Sequence, residues 1–349
     1  MKLFNFYKHL LYLLPAELSH NIAVFCLKNS MILPPRKFEH SSLKQNIAGI
    51  EFLNPIGLAA GFDKNAEMIR TLTNFNFGFL EVGTVTPKSQ LGNNKPRLFR
   101  LKSDKAIINR MGFNNVGAKK FRDNFCNNYL SQIPIGINIG KNKLTESEIT
   151  DYSYLVEYFY DLADYITINI SSPNTPGLRT IQTADKLDKF IATLTKQRDL
   201  LGHKNLFLKI APDLSDIELN NICKIALKYQ INALIISNTT ISRDGLKNQK
   251  LKSEMGGLSG KPVLVKSNQI LAKAYQILQG KIPIIGVGGI SNATDAYHKI
   301  KLGANLVQIY SALIYEGLNL ATEINKDLVL LLQKDGFSNI AEAVGSANN

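Results

Sequence analysis

The sequence predicts an α/β chain: a (β/α)8 TIM barrel preceded by a small N-terminal helical extension. Eight short segments rich in branched apolar residues recur along the chain, at 56–60, 79–83, 135–139, 165–170, 206–210, 233–237, 282–286 and 306–310. Such runs are what strands buried on both faces require. Amphipathic stretches lie between most of them, for instance 216–228 and 292–302. With 349 residues the chain accommodates one barrel, typically about 250 residues, and a small extra module.

The first 38 residues read as that module, with the barrel over 39–349. Leu3, Tyr7, Leu10 and Leu14 recur at helical spacing, with Phe4 and Leu11 on the adjoining stripe. Pro15 breaks the pattern and opens a second helix in which Leu18, Ile22 and Phe25 repeat the period. Pro34-Pro35 closes the unit as a stiff linker. A first helix from Phe4 to Leu14 is roughly 16 Å long, about half the hydrocarbon thickness of a bilayer, so it does not span. Lys8 and His9 interrupt the apolar run, which argues against a signal peptide. Two readings stay open on the residues alone: a helical pair packed on the barrel, or a pair lying in a membrane interface.

Just before the first barrel strand, 43–52 with Ala48-Gly49 reads as a hairpin covering the barrel floor. Composition adds limits. Hydrophobic residues make up 45% of the chain, ordinary for a globular core. Cys26, Cys126 and Cys223 are widely spaced, so neither a disulfide framework nor a zinc site is expected, and a reducing cytosolic compartment fits best. The formal net charge of +13 is scattered rather than gathered into a run, and identifies no partner.

Chemistry gathers at strand C-terminal ends, where barrel active sites form. Ala59-Ala60-Gly61-Phe62-Asp63-Lys64 follows the first strand; its small residues let a flat ring approach, and its lysine can hold an anion. Thr84 follows the second strand, and Asn138 lies in the third. After the fourth comes Asn169-Ile-Ser-Ser-Pro-Asn-Thr-Pro-Gly-Leu-Arg179, a rim of amides and hydroxyls stiffened by two prolines. Lys209 lies inside an apolar strand, either as a working cation or as a side chain snorkelling from the barrel end. Ser237-Asn238-Thr239-Thr240 repeats the amide and hydroxyl chemistry after the sixth strand. Gly286-Val-Gly-Gly-Ile-Ser291 and Gln308-Ile-Tyr-Ser311 mark the loops that commonly build a barrel's phosphate pocket. No Rossmann or Walker motif is present.

Together with Asn109-Arg-Met-Gly-Phe-Asn114, these motifs resemble the dihydroorotate dehydrogenases, specifically the membrane-associated, quinone-linked class 2 with a serine base. The resemblance runs from about Pro15 to Tyr310. It implies oxidation of dihydroorotate to orotate in de novo pyrimidine synthesis, with one FMN per chain and a quinone as co-substrate. It assigns FMN contacts to Ala60, Gly61, Phe62, Asp63, Lys64, Thr84, Asn138, Asn169, Lys209, Ser237, Gly260, Gly289, Tyr310 and Ser311. Substrate contacts fall on Lys64, Asn109, Arg110, Met111, Gly112, Phe113, Asn169, Asn174, Asn238 and Thr239.

The amide-rich set suits a small planar amide ring bearing a carboxylate. Between Ser171 and Ser172, the resemblance alone selects Ser172 as general base. None of the cysteines falls in a substrate loop, in keeping with the serine class. His20, Arg100 and Tyr310 look like the quinone end, although His20 alone also reads as a helix-surface histidine. The resemblance further implies peripheral attachment to the cytoplasmic side of the inner membrane. It implies no metal, no nucleic acid and no obligate protein partner. A tRNA dihydrouridine synthase, another basic flavin barrel, would need a catalytic cysteine and an RNA-binding domain, and neither is visible.

Overall fold

The computed structural model describes residues 8, 11–130 and 132–348. Eight parallel strands close into a barrel. In chain order they are β3 (Ile56–Leu58), β4 (Phe79–Val85), β7 (Ile135–Ile139), β8 (Tyr165–Asn169), β9 (Asn205–Ile210), β10 (Ala233–Ile236), β12 (Ile284–Val287) and β13 (Leu306–Ile309). All eight predicted strands are present, and several stop a residue or two before the polar residues that line the site. Helices Asp216–Lys228 and Ala293–Lys301 occupy the two amphipathic stretches.

Two hydrophobic layers hold this barrel. The larger lies between strands and helices, with Val82, Ile137, Ile168, Leu208, Leu234 and Val307 facing outward onto helix residues such as Leu155, Leu194, Ile222 and Leu271. The smaller fills the barrel's interior at its base, where Tyr165 stacks on Phe207 at 4.2 Å between ring centroids. Gly57 and Gly136 make room for this packing: a Cβ at either would lie 2.2 Å from the Phe79 ring or 2.1 Å from the Tyr165 ring. The predicted hairpin is β1 (Gln45–Ile47) and β2 (Ile50–Phe52), turning at Ala48 and Gly49. Its Ile47 and Phe52 plug the floor, and the Phe52 ring meets Phe79 edge-on at 5.2 Å. With the lower half sealed, polar chemistry is confined to the upper half.

A three-stranded antiparallel sheet roofs one side of the upper end and was not foreseen from the sequence. Strands β5 (Leu98–Leu101) and β6 (Ala106–Asn109) form a hairpin, and β11 (Gly257–Gly260) pairs with β6 from 150 residues away. Its members are four residues long and carry arginine, asparagine or glycine, so no alternating pattern marks them.

The second N-terminal helix forms as Ala16–Lys28, opening after Pro15. The first helix lies largely outside the described residues. Leu27 is fully buried in the main core, while Leu18, Ile22 and Phe25 face outward at 46%, 36% and 61% exposure. Glu17 accepts two hydrogen bonds from the Arg97 guanidinium, and Lys28 pairs with Glu67 at 2.6 Å. The linker is pinned by Asn76, which donates to the Arg36 carbonyl and accepts from the Phe38 amide. No helix of the described residues is long and apolar enough to cross a membrane. The tail after Gly336, silent in sequence, forms a short helix Ile340–Ala343 capped by Asn339, and the Gly345 amide donates to the Ile300 carbonyl.

Candidate active site

The upper end of the barrel opens into a cavity bounded by β-strand ends, the roof sheet and helix Ala16–Lys28. Its floor is a chain of buried amides. Glu81, buried in β4, accepts from Asn138 Nδ2 at 2.7 Å on one oxygen and from Gln308 Nε2 at 2.8 Å on the other. Asn138 Oδ1 accepts from the Thr84 hydroxyl at 2.5 Å and from Asn169 Nδ2 at 3.1 Å. Asn169 Oδ1 in turn accepts from the Ser171 hydroxyl at 3.2 Å and Asn238 Nδ2 at 3.3 Å. One polar network therefore links β4, β7, β8, β10 and β13 below the cavity. Networks of this kind fix side-chain orientation because each buried amide would be costly unpaired.

Lys209 projects from β9 into the same layer, with Nζ 3.6 Å from Glu81 Oε1 and 6% of its side chain exposed. It lines the cavity from within and does not snorkel outward.

The two serines are separated by their environments. Ser171 is fully buried; its hydroxyl donates to Asn169 and accepts from Asn238 Nδ2 at 3.0 Å. Ser172 lines the cavity, and its Oγ accepts from the Asn174 amide at 3.3 Å while donating to no described residue. Its proton is free to turn toward a ligand. The loop is clamped from behind by Arg179, which donates to the Ser171 carbonyl at 2.9 Å, to the Thr239 carbonyl at 2.8 Å and to Asp213 at 2.8 Å. Asp213 also holds Lys266, Thr240 and the Ile241 amide. Asn174 donates to Asn109, tying the Ser171–Ser172 loop to the edge of the roof.

Most of the residues singled out from sequence meet here: Ala60, Gly61, Lys64, Thr84, Asn109, Met111, Gly112, Phe113, Asn169, Ser172, Asn174, Lys209, Ser237, Asn238, Thr239, Gly260, Gly289, Tyr310 and Ser311 all line the cavity. Five side chains lie elsewhere. Asp63 spends its carboxylate capping the Glu67 and Met68 amides. Phe62 packs edge-on against Tyr310 and His20. Arg110 pairs with Glu254 at 2.7 Å. Asn138 acts from beneath through the amide network. Arg100 sits 4.7 Å over the Tyr12 ring, near the outer mouth. Glu81 and Asp213 were not anticipated as site residues, and Gln308 stood out only within its loop motif, although Glu81 is a charge inside an apolar strand, the same signal that drew attention to Lys209.

At the rim, His20 Nε2 lies 3.4 Å from Lys64 Nζ. Burial pushes the imidazole down to about 3, with the Lys64 charge adding to the effect, so His20 is neutral at working pH. Burial likewise pushes the Lys64 ammonium down to about 8. It remains cationic at neutral pH and becomes sensitive to mild alkali.

Fold and site define a (β/α)8-barrel enzyme with an amide-lined, lysine-bearing pocket and a serine poised at its edge. The family model for dihydroorotate dehydrogenase matches residues 42–332, and the chain belongs to that family. It is 47% identical over 337 residues to a dihydroorotate dehydrogenase (quinone) of Bartonella tribocorum, covering 95% of this chain and 93% of that one. It is 44% identical over 343 residues to the enzyme of the same name from Agrobacterium fabrum, covering 97% and 94%. Among solved structures, the ligand-free DHODH of Eimeria tenella superposes with a TM-score of 0.91 at 37% identity, over 96% of this chain and 99% of that one.

Proposed function

We propose that this cavity carries out the dehydrogenation of dihydroorotate on one bound FMN, with Ser172 as general base and a quinone arriving past the N-terminal helices. The activity itself, dihydroorotate oxidation linked to a quinone in pyrimidine biosynthesis, is that of the family and of its curated relatives.

The residues fit a flavin. Ala59, Ala60 and Gly61 leave one wall flat, and a Cβ built on Gly61 would project into space whose nearest atom is the Tyr310 ring edge at 3.7 Å. Thr84, Asn169 and Lys209 line one side, where the Lys209 ammonium offers the donor. Gly260, Gly289 and Ser311 gather at the far end, where a phosphate would bind backbone amides. When bound, FMN supplies the two-electron acceptor for a hydride from C6 of the substrate.

The chain's own residues perform the remaining tasks. Lys64 neutralises the substrate carboxylate, while Asn109, Asn174 and Asn238 pair with the amide edges and fix the ring's face. Ser172 takes the C5 proton at Oγ as its own hydroxyl proton passes to solvent, since no described side chain accepts it. The observation that carries this reading is the contrast between the two hydroxyls: Ser171 is bound on both sides and Ser172 is uncommitted.

The quinone reading is supported at the outer mouth. Arg100 Nε is buried without a hydrogen-bond partner, beside Tyr12 and near Tyr315, and His20 and Tyr310 lie further in. The exposed stripe of Leu18, Ile22 and Phe25 would rest in the membrane interface at that mouth, making 1–38 a peripheral membrane and quinone-entrance unit on the barrel 39–349.

The visible spectrum of the purified protein, followed by anaerobic dihydroorotate and then by acceptors, tests the proposal. Oxidised flavin absorbance that bleaches with dihydroorotate and returns with quinone, but not with fumarate, is expected. Absence of flavin, or equal reoxidation by fumarate, would contradict it.

A further inference from the structure

Among the described residues, Lys299 is a fully buried charge that the site does not use. It is fully buried in helix Ala293–Lys301 and forms no ion pair among the described residues. Its Nζ donates to Ser267 Oγ at 2.9 Å and Asn268 Oδ1 at 2.6 Å, both on helix Leu264–Leu278. Its stem runs along β12, where a Cβ on Gly286 would come 2.4 Å from Lys299 Cδ. Asp295, the acid that acts on it electrostatically, is already engaged by the Ser291 amide and hydroxyl. A methionine would fill the same volume without a buried charge, so packing does not account for a lysine.

Its hydrogen bonds lead directly to the loop after β12. Ser267 Oγ donates to the Val287 carbonyl at 2.5 Å, and that carbonyl also accepts from the Ser237 amide at 3.0 Å. With its carbonyl fixed on this side, the trans peptide directs the Gly288 N–H the opposite way, and Gly288 lines the cavity. Gly288 and Gly289 hold positive φ angles of 116° and 79°, and a Cβ on Gly289 would lie 2.4 to 2.6 Å from Leu264. The loop and the start of helix Leu264–Leu278 are thus in direct contact, and Lys299 stands immediately behind both.

We propose that Lys299 is a positioning cation for cofactor phosphate: it braces the Val287–Gly289 turn through Ser267 and adds its charge to the field at the far end of the cavity. The inference rests on the FMN reading above. Burial lowers the ammonium to about 7 against the opposing pull of Asp295, and a phosphate dianion across the turn would favour its charged form. The cation would therefore favour a phosphorylated flavin over its unphosphorylated form without touching either.

The test uses the full-length protein stripped of flavin, with dissociation constants for FMN and riboflavin measured by flavin fluorescence. In Lys299→Met, FMN affinity should fall by about tenfold or more, the scale of a charge–charge effect at protein-like dielectric. Riboflavin affinity should stay at the wild-type value. No loss for FMN, or equal losses for both flavins, would overturn the proposal. If the wild-type protein binds neither flavin, the cofactor reading fails and the inference with it. Should Lys299→Met fail to fold, Ser267→Ala severs the same connection, and it too should weaken FMN selectively. An unselective or absent effect there would count against the role of Lys299.

Discussion

Lys209 and Glu81 face each other inside the barrel, Nζ to Oε1 3.6 Å, with 6% and 0% of their side chains exposed. Each stabilises the charge of the other, and the amides of Asn138 and Gln308 complete the carboxylate's coordination. Lys209→Met leaves that carboxylate buried without its cation, which should destabilise the fold by about 3 kcal/mol. Adding Glu81→Gln should recover much of the loss. Paired urea denaturation curves check this, and a double variant no more stable than Lys209→Met would mean the two charges are energetically independent. Lys209→Met should also lower the reduction potential of bound flavin, because a cation near the ring favours its reduced, anionic form.

The pair also shows what the sequence discloses. Strands were legible because burial on both faces writes short, continuous apolar runs, helices through their amphipathic period, and the floor hairpin through Ala48-Gly49. Lys209 was conspicuous among Leu and Ile. Glu81 carried the same signal but passed unnoticed beside Gly83 and Thr84, which read as the strand's polar end. The roof sheet was invisible because β11 reaches β6 across 150 residues, and pairing at that distance leaves no local mark. The roles of Arg179 and Asp213 depend on three loops converging, which no single segment records.

Substrate capture should weaken in mild alkali. Lys64 has its pKa depressed to about 8, so it is cationic below that value and loses its proton as pH rises through it. KM for dihydroorotate should therefore climb between roughly pH 7.5 and 9, with kcat less affected. In Lys64→Met the KM should be high and flat over that range. The same depression bears on stability with a definite sign: between about 8 and the ordinary lysine value the unfolded chain binds more protons, so this group's destabilising effect diminishes as pH rises. A wild-type KM profile flat from pH 7 to 9 would exclude Lys64 as the carboxylate partner.

The clamp behind the base loop should matter for rate more than for cofactor content. Arg179→Met removes donors from the Ser171 and Thr239 carbonyls and leaves Lys266 as the cation on Asp213. Small displacements of a reacting group are expensive, so kcat should fall by about 10 to 100-fold with flavin still bound. Unchanged kcat with full flavin occupancy would show that the loop holds its shape without the guanidinium.

Membrane attachment should depend on the exposed stripe. The triple variant Leu18→Glu, Ile22→Glu and Phe25→Glu changes side chains on the outward face of the helix and leaves the buried Leu27 in place, so folding should be retained. Sedimentation with anionic liposomes should drop sharply, and turnover with a long-chain quinone should fall while a short soluble quinone is still reduced. Wild-type liposome binding by this variant would make the stripe an ordinary surface.

Ser172, not Ser171, should be the group that removes the substrate proton. Anaerobic stopped-flow bleaching of the flavin by dihydroorotate measures that step before any quinone is involved. Ser172→Ala, with flavin content and substrate affinity retained, should bleach about 100-fold or more slowly than wild type, and Ser172→Cys should regain part of the rate. Bleaching of the Ser172→Ala protein at the wild-type rate would exclude Ser172 as the base.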